Sequence, residues 1–362
     1  MGNARLKALF LVVRRHGAVA ILFGLSKREM GTNMKKKLLV EFWIPAEIVK
    51  YLSDNDIEAV YPAEEVTGKY TREEFKKLLP EVDAVLLASM KFDKELIDAA
   101  VNLKAIARHG VGCDAVDCEY AGKKGIPVIN APHAVTHPTA ELAIAIMMDV
   151  ARCVTRLDKK LRVDGTCENP PSYAQISSGI YGKTLGIIGF GRIGKAVGQK
   201  AHGLGMKVFY SDVVQAPKDI EDAIGAKKIS QEELLKTADF VTLHCPYTPE
   251  NHHLINEKTL AMMKPSAYLV NASRGKMVKE QDLVDALKKG VIRGAALDVY
   301  EFEPEINKEL LPMENVVLTP HVGTWNYDAR IDMAYEALKG VCELFAGRTP
   351  ENIFNKDCLV RS

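Results

Sequence analysis

Three residues whose side chains could act together in catalysis follow short apolar runs in the second half of the chain. Arg274 stands in "LVNASRGKMV", Glu303 in "ALDVYEFEP" and His321 in "LTPHVG". Reduction of a 2-oxo acid needs a cation that grips the carboxylate and polarises the ketone. It also needs an acid with a pKa near neutrality and a carboxylate that keeps this acid protonated. A guanidinium, an imidazole and a carboxylate together meet these needs.

Each of these residues also has a purely structural interpretation. A histidine beside an apolar run often fills space or satisfies a hydrogen bond. Arg274 could form a surface ion pair, and Glu303 could be one of the solvated acids in "YEFEPE". Glu301 competes with Glu303 as the partner of His321. The chemical interpretation therefore requires that the fold brings distant segments together.

The stretch "KTLGIIGFGRIGKAVGQKAHGLGMKVFYSD" has the pattern of a dinucleotide-binding turn. Gly189, Gly191 and Gly194 follow a strand-like run and open a helix-like one, and a second strand ends in Asp212. The first glycine permits a tight turn, the second lets N–H groups approach a pyrophosphate, and the third lets the helix pack on the strand. A carboxylate at 212 can bind ribose hydroxyls and repels a 2′-phosphate, so NAD(H) is favoured over NADP(H). A nucleotide fold for another ligand, such as a methyl donor, is the alternative.

Alternating strand-like and helix-like segments must position these residues. The predicted strands are Leu38–Phe42, Ile57–Tyr61, Ala84–Leu87, Lys104–Arg108, Pro127–Ile129, a strand from Lys183, Lys207–Ser211, Phe240–His244, Ala267–Asn271, Gly294–Leu297 and Val316–Leu318. Capping boxes at Thr71–Glu74 and Ser230–Glu233 indicate helix starts, and a last helical pattern runs from Ala329 to Phe345. This alternation predicts parallel sheets covered by helices.

The pattern breaks at "NAPHAVTHPTAE", and 362 residues are long for one core. We predict an α/β fold with two Rossmann-like or flavodoxin-like parallel-sheet domains and an active-site cleft between the domains. Residues 34–131 plus 324–350 are predicted to form the substrate domain, and residues 132–323 the NAD-binding domain. Ligands bind at the carboxyl ends of strands in such sheets, where Arg274, Glu303 and His321 are expected to converge. The apolar run 140–154 is expected to be a buried connecting or subunit-interface helix.

Residues 1–33 differ from the rest of the chain, with six Lys or Arg against one acid, Glu29. We predict an N-terminal extension that is disordered or not native to the protein. An Arg-rich targeting leader is the alternative.

Composition narrows the range of partners. The formal net charge of +1, from 48 basic and 47 acidic residues, gives no reason to expect nucleic acid or an anionic membrane as a partner. Seven cysteines without a Cys-x-x-Cys pair indicate reduced thiols in a cytoplasmic protein. His133, His137 and Glu141 could suggest a metal site, but Pro138 interrupts their spacing, and no metal is predicted.

From about residue 34 to 348, these ordered motifs resemble the NAD-dependent D-2-hydroxyacid dehydrogenase family. That family includes glyoxylate/hydroxypyruvate reductases, phosphoglycerate dehydrogenases, D-lactate dehydrogenases and formate dehydrogenase. The resemblance implies that Arg274 binds substrate and that Glu303 partners His321, the general acid/base. "RHGVGCDAVD" is similar to the family's substrate loop, which implies that N–H groups around Val111 and Gly112 hold the substrate carboxylate.

The resemblance also implies a set of residues that contact NAD. Thr139 and Asp298 are expected near the nicotinamide carboxamide, and Cys245 and Pro246 beside the adenine. Cys245 stands where the family usually has Val or Ala, which suggests a thiol-reactive pocket. The full predicted cofactor set is Thr139, Gly189, Gly191, Arg192, Ile193, Gly194, Asp212, Cys245, Pro246, Ala272, Asp298, His321 and Gly323.

The resemblance implies an enzyme that interconverts a small 2-oxo acid and its D-2-hydroxy acid. Ser89, Met90 and Lys91 are expected to border the substrate pocket. No cluster of extra cations for a substrate phosphate is evident, so a glyoxylate/hydroxypyruvate reductase is favoured over a D-3-phosphoglycerate or D-lactate dehydrogenase. An NADH-sensing, corepressor-like binding protein without catalysis is the alternative from another class. Family members are commonly homodimers, and the 140–154 region is the predicted interface.

Overall fold

The computed structural model describes residues 35–65, 68–167 and 177–360. The predicted N-terminal extension, residues 1–33, lies outside these ranges. The chain divides into two compact units. The first extends to Ala131 and resumes at Ala334, and the second is Pro132–Met333.

The first unit contains a five-stranded sheet within the described residues. Its elements are β1 (Lys36–Val40), α1 (Ala46–Asp54), β2 (Ile57–Val60), α2 (Arg72–Leu78), β3 (Ala84–Leu87), α3 (Lys94–Ala99), β4 (Ala105–Arg108), α4 (Cys118–Lys123) and β5 (Val128–Ile129). The strand order is β2-β1-β3-β4-β5, and all neighbouring pairs are parallel. This is the order of a flavodoxin-like doubly wound sheet. β3 and β4 are buried along their whole length, as expected for a parallel sheet with helices on its faces.

The second unit contains a seven-stranded parallel sheet within the described residues. Its elements are α5 (Thr136–Arg152), α6 (Val154–Asp164), β6 (Thr184–Ile188), α7 (Arg192–Gly203), β7 (Lys207–Ser211), α8 (Lys218–Ile224), β8 (Ala226–Lys228), α9 (Gln231–Thr237), β9 (Phe240–Leu243), α10 (Glu257–Leu260), β10 (Tyr268–Asn271), α11 (Glu280–Lys288), β11 (Gly294–Leu297) and β12 (Val316–Leu318). The last helix, α12 (Tyr327–Phe345), begins in this unit and continues into the first. The strand order is β12-β11-β10-β9-β6-β7-β8, the Rossmann order with one added strand. The connections reverse direction between β6 and β9, where such sheets bind nucleotides.

The predicted fold class, with two parallel-sheet α/β domains, is confirmed. The ends of the observed strands lie within two residues of the predicted ends, and four predicted strands match at both ends. The edge strand β8 and the helix α6 were not predicted, because β8 is short and α6 buries none of its residues. The chain returns to the first unit at Ala334, inside α12, whereas the sequence placed this crossing at residue 324.

The helix starts and the helix end that were predicted from capping residues and periodicity are present in the structure. Thr71 accepts a hydrogen bond from the N–H of Glu74, and the Glu74 carboxylate accepts the Thr71 N–H, which completes the first predicted capping box. At the second, the Ser230 hydroxyl accepts from the Glu233 N–H at 3.2 Å. α12 ends at Phe345, as predicted.

The apolar run 140–154 lies largely in α5, which is a core helix of the second unit. Ala140, Ala143, Ile146 and Met147 are buried there, and α5 packs against α7 and the sheet. Among the described residues, no helix is both long and apolar enough to cross a bilayer.

Candidate active site

The glycine turn after β6 has the geometry of a dinucleotide site. Gly189 has φ of 91°, and a Cβ there would overlap the backbone of Cys245. A Cβ at Gly194 would overlap the carbonyl of Gly189, so these two glycines are required by close packing. By contrast, nothing lies within 4 Å of a Cβ at Gly191, the N-cap of α7. The open space beside this helix N-terminus fits the pyrophosphate of NAD.

Asp212 is held beside this turn. Its Oδ2 accepts a hydrogen bond from the Phe190 N–H at 2.6 Å, and its Oδ1 accepts from the Val214 N–H at 2.9 Å. These two bonds orient the carboxylate at the end of β7. The remaining lone pairs suit ribose hydroxyls as donors.

His321 and Glu303 form a hydrogen-bonded pair. Nδ1 of His321 lies 2.9 Å from Oε2 of Glu303. Because a carboxylate only accepts, Nδ1 carries the hydrogen, and Nε2 is the nitrogen left to exchange a proton. Oε1 of Glu303 accepts the Tyr300 N–H at 2.9 Å, so both carboxylate oxygens are oriented.

This pair shifts both pKa values. The hydrogen bond to Glu303 raises the pKa of His321 above its ordinary value, although burial acts in the opposite direction. Burial alone would raise the pKa of Glu303, but the hydrogen bonds from His321 and Tyr300 leave it lowered overall. The arrangement therefore favours a charged imidazolium beside a carboxylate near neutral pH.

Asp298 fixes the loop that carries His321. The buried Asp298 carboxylate accepts hydrogen bonds from the Thr319 hydroxyl at 2.7 Å, the Val322 N–H at 2.8 Å and the Gly323 N–H at 2.9 Å. The backbone of His321 is left-handed, with φ of 54°, a conformation that non-glycine residues rarely adopt. Burial raises the pKa of Asp298 despite these bonds. Strained backbone of this kind is concentrated at functional sites.

Two of the residues expected near the nicotinamide, Thr139 and Gly323, lie next to each other. A Cβ at Gly323 would lie 3.5 Å from the Thr139 side chain, which places the start of α5 against it. Ala272 is buried and directly follows β10. Cys245 and Pro246, expected beside the adenine, follow β9 after His244.

The Cys245 thiol differs from the expectation of a reactive group. Burial raises its pKa to about 11, and the charge of Asp212 acts in the same direction. A thiol with a raised pKa is largely protonated at neutral pH, which argues against a reactive group in this pocket.

Arg274 stands at the carboxyl end of β10, where a 3₁₀ turn begins. Its Nη1 donates to the carbonyl of Ser273 at 2.9 Å, and the Asn271 side chain donates to the Arg274 carbonyl at 3.0 Å. Its positive charge opposes the raised pKa of His321, so the two groups lie within electrostatic reach. The second unit thus brings Arg274, Glu303 and His321 to the carboxyl edge of its sheet.

Glu301, the predicted competitor of Glu303, points elsewhere. Its side chain is 9% exposed, with Oε1 2.6 Å from Nε2 of His253 and Oε2 accepting the Glu280 N–H at 2.9 Å. Its oxygens are therefore engaged by these groups, whereas Glu303 contacts the imidazole of His321.

In the first unit, the predicted carboxylate loop is held by its carbonyl groups. Arg108 Nε donates to the Gly112 carbonyl at 3.1 Å, and the Asn130 side chain donates to the Val111 carbonyl at 2.8 Å. Within the described ranges, neither the Val111 N–H nor the Gly112 N–H donates a hydrogen bond. These donors are therefore available to an anion.

Glu41, for which no role was predicted, is a buried residue with a clear structural function. Glu41 is 2% exposed and accepts hydrogen bonds from the N–H groups of Ala88 at 2.6 Å, Ser89 at 3.0 Å and Met90 at 3.1 Å. The bonds order the loop after β3, which is predicted to border the substrate pocket. An acid directly after the apolar strand β1 was the available signal.

The Rossmann-type sheet, the glycine turn and the oriented Asp212 together define a dinucleotide-binding α/β domain. Comparison with known proteins identifies the family. Residues 144–323 match the family model described as "D-isomer specific 2-hydroxyacid dehydrogenase, NAD binding domain".

Named relatives agree with this match. A glyoxylate reductase of Thermococcus litoralis is 44% identical over 286 residues, covering 78% of this chain and 86% of that protein. A glyoxylate reductase of Thermococcus onnurineus is 38% identical over 332 residues, covering 90% and 98%. The crystal structure of an Aquifex aeolicus D-lactate dehydrogenase with NAD and lactic acid has a TM-score of 0.71 at 27% identity, covering 86% of this chain and 96% of that chain.

The chain belongs to the D-isomer specific 2-hydroxyacid dehydrogenase family and is an NAD-dependent enzyme of that family. These relatives support the enzyme over the predicted alternative of a binding protein without catalysis.

Proposed function

We propose that this enzyme reduces glyoxylate or hydroxypyruvate with NADH, and that Arg274, Glu303 and His321 carry out the reaction. The observation that carries the proposal is the 2.9 Å hydrogen bond between Glu303 and His321. Relatives named glyoxylate reductase, at 44% and 38% identity, support this substrate class.

In the direction of reduction, each side chain has one task. The guanidinium of Arg274 binds the substrate carboxylate and polarises the ketone. NADH supplies the hydride that reduces the carbonyl carbon. His321 gives the proton on Nε2 to the oxygen as negative charge develops there, and Glu303 stabilises the imidazolium beforehand. In the reverse direction, His321 accepts the hydroxyl proton.

We further propose that the N–H groups of Val111 and Gly112 bind the substrate carboxylate. Two backbone donors with no described acceptor, on a loop whose carbonyls are already held, form an anion-binding concavity. Glu41 keeps the neighbouring loop at Ser89 and Met90 in place.

The substrate is tested by measuring kcat/KM for glyoxylate, hydroxypyruvate, pyruvate and 3-phosphohydroxypyruvate and ranking the four values. The rate of each reaction is measured as the loss of NADH absorbance. The proposal expects glyoxylate or hydroxypyruvate to rank first. A clear preference for pyruvate or the phosphorylated acid would replace it with a D-lactate or D-3-phosphoglycerate dehydrogenase. No turnover on any oxo acid would contradict the reaction itself.

Replacing Asp212 by Ser is expected to raise the NADPH/NADH ratio of kcat/KM by about tenfold or more. A like charge a few ångströms from a 2′-phosphate costs roughly 1–4 kcal/mol, and the substitution removes it. Asp219→Ser, which removes an exposed acid in α8, serves as the matched control and should leave the ratio unchanged. An unchanged ratio in Asp212→Ser would refute the role given to this carboxylate.

A homodimer through the surface around residues 140–154 and the adjoining α6 is also proposed. α5 buries its own apolar face within the unit, but Val154, Leu157 and Leu161 are exposed beside Met148. An apolar surface of this kind is typical of a protein interface. Light scattering should give twice the mass of one chain, and Leu157→Glu should reduce it to a single chain. A wild-type protein with the mass of one chain would contradict the proposal.

A further inference from the structure

Two buried carboxylates lie behind the loop that carries Glu303. Glu280, the first residue of α11, is 3% exposed, and Glu301 is 9% exposed. Each accepts the backbone N–H of the other. The Glu301 N–H donates to Oε1 of Glu280 at 2.6 Å, and the Glu280 N–H donates to Oε2 of Glu301 at 2.9 Å. The pair therefore joins the start of α11 to the start of the loop.

Glu280 also holds the far end of the same loop. Its Oε2 accepts the N–H of Asn307 at 3.2 Å. One carboxylate thus receives N–H groups from residues 301 and 307, which bracket Glu303. Because a carboxylate offers two acceptor oxygens and no donor, a single side chain can fix both ends of the loop.

Glu301 continues the network toward Arg274. Its Oε1 lies 2.6 Å from Nε2 of His253, and the His253 N–H donates to the carbonyl of Lys276 at 3.0 Å. Lys276 is in the 3₁₀ turn that begins directly after Arg274. The hydrogen-bonded path therefore connects the turn that follows Arg274 with the loop that presents Glu303.

Packing brings these two elements into direct contact as well. A Cβ at Gly275, next to Arg274, would overlap the carbonyl of Tyr300 and lie 2.6 Å from the Glu301 nitrogen. Burying two carboxylates costs folding free energy unless hydrogen bonds compensate for the lost water. Such a network is a weak source of stability, but it defines the geometry of the loop closely.

We propose that Glu280 and Glu301 are positioning residues, which hold Glu303 against His321 and fix the Glu303 loop relative to the Arg274 turn. Neither residue needs to touch substrate in this role. The inference rests on the proposed function, in which Arg274, Glu303 and His321 carry out the reaction. It adds that Glu280 and Glu301 influence the pKa of His321 through the position of Glu303.

The test compares the pH profile of kcat/KM for 2-oxo acid reduction in variants of Glu280. Glu280→Gln replaces one acceptor oxygen by an amide donor that would face a backbone N–H, so one end of the loop is released. We expect kcat to fall roughly tenfold to a hundredfold, as for other supporting residues. We also expect the alkaline midpoint of the profile to move to lower pH, because Glu303 no longer holds its position on His321. The Kd for NADH should be unchanged.

Two further variants separate geometry from charge. Glu280→Asp keeps the negative charge but is one methylene shorter and cannot reach both N–H groups, so positioning predicts the same downward shift. Glu305→Gln removes an exposed charge from the same loop and should behave as wild type. If Glu280→Gln does not fold, His253→Gln replaces it as the test. His253 is the partner of Glu301 and its side chain is 28% exposed. This variant should move the alkaline midpoint to lower pH by a smaller amount.

The outcomes distinguish this inference from the proposed function. A wild-type midpoint in Glu280→Gln and Glu280→Asp, with only a lower melting temperature, would overturn the positioning role. A shift in Glu280→Gln alone would also overturn it, because charge rather than reach would then be responsible. If Glu303→Gln itself leaves the midpoint in place, the proposed function fails instead.

Discussion

His321→Ala is expected to lower kcat for 2-oxo acid reduction by roughly 10²- to 10⁴-fold, the usual contribution of a positioned general acid. The substitution removes the group that delivers the proton from Nε2. It leaves intact the glycine turn and Asp212, which are held by their own backbone contacts. The Kd for NADH, measured by fluorescence titration, should therefore stay within about twofold of wild type.

The matched control for this variant is His202→Ala, which removes an exposed histidine near the end of α7. It should retain wild-type kcat. Near-normal turnover in His321→Ala, with the fold and NADH binding intact, would rule out His321 as the proton donor.

Arg274→Gln is expected to lower kcat/KM by roughly 10²- to 10³-fold, the range for loss of one preorganised charge-stabilising donor. Glutamine keeps a polar side chain at the end of β10 but loses the charge and the planar fork that suits a carboxylate. Because the role of Arg274 includes polarising the ketone, kcat should fall as well as substrate affinity. Steady-state kinetics with glyoxylate and a constant saturating NADH concentration give both values.

Lys276→Gln provides the comparison, since it removes an exposed cation two residues further along the same turn. Its kcat/KM should remain close to that of wild type. Equal losses in the two variants would indicate a general effect of positive charge rather than a specific contact from Arg274.

Much of the fold could be predicted from local patterns in the sequence. The alternation of apolar strands and amphipathic helices identified both parallel sheets, because strands buried on both faces read as continuous apolar runs. The glycine turn was recognisable because its glycines stand where a side chain would clash with neighbouring backbone or block the ligand. Gly189 and Gly194 show such close backbone contacts. α6 and β8 were not predicted because they bury few side chains, so their sequences show little periodic alternation of apolar and polar residues.

The site was predictable only in part. Residue types and strand ends singled out Arg274, Glu303 and His321, but the choice between Glu303 and Glu301 depends on which carboxylate faces His321. The Glu301 carboxylate contacts His253 and the Glu280 N–H instead of His321, and these partners are distant in sequence from the loop and carry no motif of their own. Similarly, the burial that raises the pKa of Cys245 is a property of the packed unit rather than of the sequence around the residue.

Several predictions stay predictions. The assignment of the first unit to substrate binding, the cytoplasmic location and the homodimer belong to this group. So do the individual cofactor contacts, including those of Arg192 and Ile193 at the start of α7.

The measurement that tests the central claim most directly is the pH dependence of kcat/KM for oxo acid reduction in wild type and Glu303→Gln. Reduction needs protonated His321, so the rate constant should fall as pH rises through the pKa of His321, which lies above its ordinary value in this fold. Glu303→Gln removes the carboxylate that stabilises the imidazolium, so the midpoint should move to lower pH. A midpoint that is the same in both proteins would contradict the account, because the Glu303–His321 pair would then not supply the proton.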